Sequence, residues 1–114
     1  MKKLLLFVLA FFVTSPAWAA TPAAEIEALL NYVKTLDGAV FIRNGTEHKP
    51  AGAESHLRMK WEKQTSKIKT AEDFIRLCAT QSSLSGDLYQ IRLKDGTTRP
   101  AAEVLTQRLK ELRQ

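Results

Sequence analysis

The 114-residue chain holds one cysteine, Cys78, and two histidines, His48 and His56. A lone thiol excludes an internal disulfide, so a domain of this size must hold together by apolar packing. These three side chains are the chain's histidine and cysteine ligands. They have no zinc-type spacing, so no metal and no cofactor are expected. Cys78 lies four residues after Phe74 on one apolar helical face and reads as a buried, inert thiol. Internal repeats, low-complexity linkers and long blocks of like charge are also missing, which argues for one domain. No G-x-S-x-G occurs, and the chain is too short for the large sheet on which that nucleophile elbow sits.

One long apolar run is present, and it lies at the N-terminus. Lys2 and Lys3 precede Leu4–Val13, and Ala17-Trp18-Ala19 supplies small residues at a cleavage position. The pattern is that of a secretory signal peptide over residues 1–19, cut after Ala19. A core of about ten apolar residues falls short of the roughly 20 that span a bilayer, so no membrane anchor is expected after processing. No cysteine stands at the cut, which excludes lipoprotein processing. The expected mature chain is a single domain, residues 20–114, soluble in the periplasm if the source is Gram-negative and secreted otherwise. Loss of Lys2 and Lys3 leaves 15 basic against 12 acidic residues, a net charge of +3. So small an excess in an exported chain points away from nucleic acid and only weakly toward anionic envelope material.

The mature region alternates helical and extended patterns. Thr21-Pro22 opens a helix over 22–36, with Ile26, Leu29, Leu30 and Val33 at helical spacing and Asp37-Gly38 beyond its end. Ala39–Ile42 then meets Asn44-Gly45, the pair that best tolerates the two positive φ angles of a tight hairpin turn, so Val40–Ile42 and Thr46–His48 are expected to pair. A second helix over 51–66 carries Ala53, Leu57, Trp61 and Gln64 on one stripe. His56, Lys60, Lys63 and Lys67 lie on a neighbouring stripe, with their ammonium groups expected in water. Thr70 to Asp73 resembles a capping box for a third helix reaching about Thr80. Tyr89, Ile91 and Leu93 alternate with polar residues as a half-buried strand, Asp95-Gly96 turns the chain, and Pro100 opens a last helix. The expected fold is α+β and mostly helical, with about four helices and a short antiparallel hairpin or small sheet.

The stretch ATQSSLSGDLYQIR, residues 79–92, concentrates hydroxyls between helix and strand. Serines at a helix exit satisfy loose backbone groups, and Gly86 supplies a positive φ for reversal, so a turn is the plainest account. A convergence of N–H groups able to hold an anion is the second. A nucleophile drawn from Ser82, Ser83 or Ser85 with His48 or His56 as base is the third, and it needs a hydrogen bond that spacing alone does not supply.

Four pieces, in order, carry a family resemblance: Arg43-Asn44-Gly45; His56-Leu57-Arg58 with Lys60; Thr70 to Ile75; and Ser82-Ser83 with Ser85-Gly86 and Tyr89. This order resembles the YfeK-like family of small uncharacterised periplasmic proteins of Gram-negative bacteria, over residues 41–91. The resemblance implies an exported α+β domain and carries no assigned activity. Its recurrent polar residues fall near turns and helix ends, so Arg43, Asn44, His56, Lys60, Ser83, Ser85 and Tyr89 are expected to approach one another as a ligand-binding cluster or a structural polar network. The function expected is that of a non-enzymatic binding or accessory module for a peptide, an envelope protein or an anionic cell-wall component. The alternative is a small envelope hydrolase or transferase using Ser83 or Ser85 with His56. No catalytic residue is assigned on the sequence.

Overall fold

The structure, a computed structural model, describes residues 20–114; the expected signal peptide, residues 1–19, lies outside the described residues. Helix α1, Pro22–Lys34, starts where the Thr21 hydroxyl accepts the Ala24 N–H at 3.1 Å. At its far end the Thr35 hydroxyl donates to the Asn31 carbonyl at 2.8 Å, so the helix closes two residues before the expected Leu36. Gly38 follows at φ 76°, where a Cβ would meet the Lys94 side chain at 2.9 Å. Both backbone angle and crowding call for glycine there.

Strands β1, Val40–Arg43, and β2, Thr46–His48, form the expected hairpin in the register Phe41↔His48 and Arg43↔Thr46. Asn44 at φ 53° and Gly45 at φ 74° are the two loop residues, as a type I′ turn requires. Helix α2 spans Pro50–Lys63 and gives way to a short 3₁₀ turn, Thr65–Lys67, in place of a helix continuing to 66. Helix α3, Ala71–Cys78, is capped by the Thr70 hydroxyl, which accepts the Asp73 N–H at 3.0 Å. The Asp73 carboxylate accepts the Lys69 N–H at 2.9 Å.

Strand β3 covers Gln90–Arg92, β4 covers Thr98–Pro100, and helix α4, Ala101–Leu112, follows directly. The strand β4 was not expected. It has no alternating apolar pattern because it is an edge strand, and its sequence, Thr-Arg-Pro, ends in a residue suited to an edge. The described residues thus form four helices and one antiparallel sheet in the order β2-β1-β3-β4.

Phe41 and Ile91 face each other across β1 and β3 and are the sheet's buried residues. They join one core with Ile26, Leu29, Leu30 and Val33 of α1, Leu57 of α2, Phe74 and Cys78 of α3, and Leu105 and Leu109 of α4. Trp61 meets Phe74 edge to face with ring centres 6.2 Å apart, a geometry aromatic pairs prefer. Two arginines tie the helices at the surface. Arg58 of α2 holds both oxygens of Glu27 of α1 at 2.9 Å. Arg113, just beyond α4, holds both carboxylate oxygens of Glu25 of α1 at 2.8 Å and also reaches Glu72 of α3. On the sheet's outer face Arg92 crosses β1 to meet Glu47 at 3.0 Å. Among the described residues no helix is long and apolar enough to cross a membrane.

Candidate functional site

The serine stretch folds as a closed loop between α3 and β3. Tyr89 N–H donates to the Thr80 carbonyl at 3.0 Å, Gln81 and Leu88 bridge, and Ser82 N–H donates to the Asp87 carbonyl at 2.9 Å. Gly86, at φ 79°, makes the reversal possible. Ser82 is the anchor. It is buried, and its hydroxyl oxygen lies 3.2 Å from the Leu84 N–H and 3.3 Å from the Ser85 N–H. The Ser85 hydroxyl accepts the Asp87 N–H at 3.1 Å. These N–H groups are therefore taken up by the loop's own hydroxyls, and the loop is a self-satisfied turn, not an open anion nest.

The hairpin docks onto this loop through one side chain. Asn44 donates from Nδ2 to the Ser82 hydroxyl at 3.1 Å and accepts from the Ser85 hydroxyl at 2.6 Å. A residue in left-handed backbone conformation thus reads two serines some 40 positions downstream. Asn44 and Ser85 of the expected cluster do meet, in a bracing role. Ser82 completes that brace although it stood outside the expected binding set; its place two and three residues before the N–H groups it caps is the signal that could have marked it.

The other expected residues gather alongside. Lys60 of α2 is only 7% exposed, which corrects the expectation that its ammonium group reaches water. Its Nζ donates to the Tyr89 hydroxyl at 3.1 Å and the Gln81 carbonyl at 3.2 Å, and stands 4.9 Å from the Tyr89 ring centre. The cause is non-local: Tyr89 and the Gln81 carbonyl form a buried acceptor pair that only the folded loop creates. The Tyr89 oxygen also lies 3.2 Å from His56 Nε2. With Lys60 able only to donate, the Tyr89 hydroxyl donates onward to His56, which is then neutral and protonated on the other nitrogen. Burial, with the positive charges of Arg43 and Lys60 nearby, pushes the His56 pKa down to about 4. Lys63 and Lys67, by contrast, are exposed as expected.

These groups line a groove of about 440 Å³ between α2, β1 and the serine loop. Arg43, His56, Lys60, Ser83 and Tyr89 line it together with Met59, Lys63, Gln64, Ser82 and Leu84. No aspartate or glutamate is among the lining residues. Leu84 at the loop tip is 92% exposed and Met59 is 42% exposed, so the rim is apolar while the wall is cationic. Of the chain's seven arginines, Arg58, Arg76, Arg92, Arg99, Arg108 and Arg113 are each ion-paired. Arg43 is the arginine with no carboxylate partner among the described residues, and it lines this groove. Against the same wall, sharing Arg43, His56 and Tyr89, sits a smaller apolar cavity of about 40 Å³ lined by Phe41, Ala53, Leu57, Ala79 and Leu105. His48 also lines it, and its Nε2 is buried without a hydrogen-bond partner.

No serine hydroxyl is hydrogen-bonded to an imidazole among the described residues; His56 Nε2 engages Tyr89, and Ser85 engages Asn44. No cluster of three or more histidine, cysteine, aspartate or glutamate side chains able to hold a metal occurs among the described residues. Cys78 is buried and close to the Gln64 amide at 3.9 Å, and burial pushes its pKa up to about 11, which keeps the thiol protonated and unreactive.

A small α+β domain whose hairpin and serine loop are braced beside a cationic groove is thus the class of protein that the fold and site define. The chain belongs to the Family of unknown function (DUF5329), whose model matches residues 20–113. It is similar to the "Uncharacterized protein YfeK" of Salmonella typhimurium, at 41% identity over 92 residues, covering 78% of this chain and 77% of that protein. The resemblance to a YfeK-like family read from the sequence is correct. No solved structure matches the chain.

Proposed function

We propose that the protein is an exported, non-enzymatic binding or accessory domain whose groove takes an anionic group of a peptide, an envelope protein or a cell-wall component. The observation that carries this reading is Arg43. Every other arginine spends its guanidinium on a carboxylate of the fold, whereas Arg43 stands without one in a groove that also holds Lys60 and Lys63 and no acid. Clefts lined by one sign of charge concentrate the field and attract the opposite charge. A guanidinium also matches a carboxylate or phosphate with two parallel hydrogen bonds.

The groove's imidazole is held neutral and bonded to a tyrosine, and the hydroxyls of Ser82 and Ser85 serve the turn, which favours binding over acyl transfer. Export is supported by the N-terminal pattern of residues 1–19 and by a family match that starts at residue 20. Fractionation with intact-mass measurement should find the protein in the periplasm beginning at Ala20.

The groove itself is tested by NMR titration of the purified protein with soluble wall fragments bearing free carboxylates and with an acidic peptide. Amide signals of Arg43, Lys60, Ser83 and Tyr89 should move, and Arg43→Gln should suppress the movement. Shifts confined to other surfaces would overturn the reading. The hydrolase alternative, with Ser83 sharing the groove with His56, calls for labelling by a serine-reactive fluorophosphonate that His56→Gln abolishes; absence of labelling removes it.

A further inference from the structure

We propose that the groove recognises the free C-terminal carboxylate of a peptide whose last side chain is small and apolar. The inference rests on the binding reading above and adds the ligand's chemical class. Two neighbouring cavities share Arg43, His56 and Tyr89 in their lining. The larger is cationic, with Arg43 and Lys60 free of carboxylates among the described residues. The smaller, about 40 Å³, is bounded by Phe41, Ala53, Leu57 and Ala79. A water occupies roughly 10–15 Å³ on this measure, so the cavity holds an alkyl group of about one to three carbons and excludes an aromatic ring.

A carboxylate attached to a carbon that bears a small alkyl group presents these two features next to each other. That arrangement is the end of a peptide chain finishing in alanine or a residue of similar size. A side-chain carboxylate of aspartate or glutamate has no such alkyl branch beside it.

His48 supplies an independent observation. Its Nε2 is buried and unpartnered at the cavity wall, an arrangement that costs free energy until a partner arrives. The terminal peptide unit carries an N–H and a C=O, either of which satisfies that nitrogen in one of its tautomers. The exposed Leu84 and Met59 on the rim then lie where the preceding residues of the peptide would pass.

Calorimetry of the purified protein with four short peptides tests the assignment: acetyl-Ala-Ala as the free acid, the same peptide as its amide, acetyl-Ala-Trp as the free acid, and an acetyl-Ala-Glu-Ala amide. Acetyl-Ala-Ala should bind; the amide should be at least about tenfold weaker, the scale of one charge-assisted hydrogen bond, and the tryptophan peptide likewise about tenfold weaker or more, because its ring exceeds the small cavity. Arg43→Gln should lose about tenfold or more for the free acid. Its melting temperature should hold, because the Arg43 side chain makes no hydrogen bond or ion pair among the described residues and its backbone pairing with Thr46 is kept, and this separates lost binding from lost structure.

If the glutamate amide binds as tightly as the free acid, or tryptophan as tightly as alanine, the C-terminal assignment is overturned while the anionic groove stands. If none of the four peptides binds although wall fragments shift groove signals, this inference alone is overturned. If neither class binds, the groove reading falls with it.

Discussion

Lowering the pH from 7.5 to 5 should cost the wild-type protein about 1 kcal/mol more stability than it costs His56→Gln. The imidazole sits among Arg43 of β1, His48 of β2, Lys60 of α2 and the Tyr89 hydroxyl beside β3, so a proton added to it meets partial burial and the positive charges of Arg43 and Lys60. Its pKa falls to about 4, against about 6.5 in an unfolded chain. The unfolded state therefore binds its proton first as pH drops. The contribution is complete above about pH 6.5, declines through the window, and stops declining below about pH 4. At pH 5 the unfolded imidazole is almost fully protonated and the folded one about one-tenth so, a difference worth about 2 kcal/mol for a fully buried ring, which solvent screening at this part-exposed one reduces to about half.

For a domain of this size, about 1 kcal/mol corresponds to roughly 4–8 °C in Tm. The lowered pKa values of Glu25, Glu27 and Glu72, caused by their arginine partners, act at lower pH: that stability is present above about pH 4.5 and is lost below it. Comparison of the two proteins by urea and thermal melts at pH 7.5, 6.5, 5.5 and 5.0 isolates the histidine. Parallel pH dependences would refute the part-buried, neutral His56 and with it the hydrogen-bonded order Lys60, Tyr89, His56.

Lys60→Met removes a buried ammonium that has no carboxylate and replaces it with a chain of similar volume. Melting should stay within about 1 kcal/mol of wild type or rise, while anion binding weakens. A loss above about 2 kcal/mol in urea melts would show that the Gln81 and Tyr89 bonds outweigh the desolvation of the charge. Asn44→Ala deletes both links to the serine loop and places alanine at φ 53°, and should cost about 2–4 kcal/mol by denaturant melts. Asn44→Gly, which relieves the backbone alone, should recover part of that loss; identical melts for the two variants would contradict it. Phe74→Ala empties the centre of the core against Trp61 and should cost about 3–5 kcal/mol, again read from urea melts.

The parts of the fold that local chemistry dictates were legible in the residues. Thr21-Pro22, Asn44-Gly45 and Thr70–Asp73 each prescribe a cap or turn by hydrogen-bonding capacity or allowed φ, and each occurs where expected. Strand β4 was not legible because an edge strand of Thr-Arg-Pro needs no apolar alternation: its pairing partner, β3, supplies the order.

The site divides in the same way. Arg43, Asn44, His56, Lys60, Ser83, Ser85 and Tyr89 were named together, and the structure sorts them into a brace, Asn44 with Ser85, and a groove wall holding the rest. That division depends on contacts 29 to 41 residues apart, which no periodicity encodes. The burial of Lys60 was hidden for this reason: on a helical wheel it belongs to a solvated stripe, and only the loop that folds over it turns it inward. Arg43 became distinctive only once the partners of the other six arginines were known.

Acetate provides the most direct test of the central claim, which is that Arg43 is the guanidinium the fold leaves available. With the Nε–H signals of all seven arginines resolved by NMR, titration with acetate should move the Arg43 signal first and furthest, because the other six already hold carboxylates. Equal response from all seven, or an unmoved Arg43 signal while exposed pairs such as Arg99–Glu103 respond, would contradict the account.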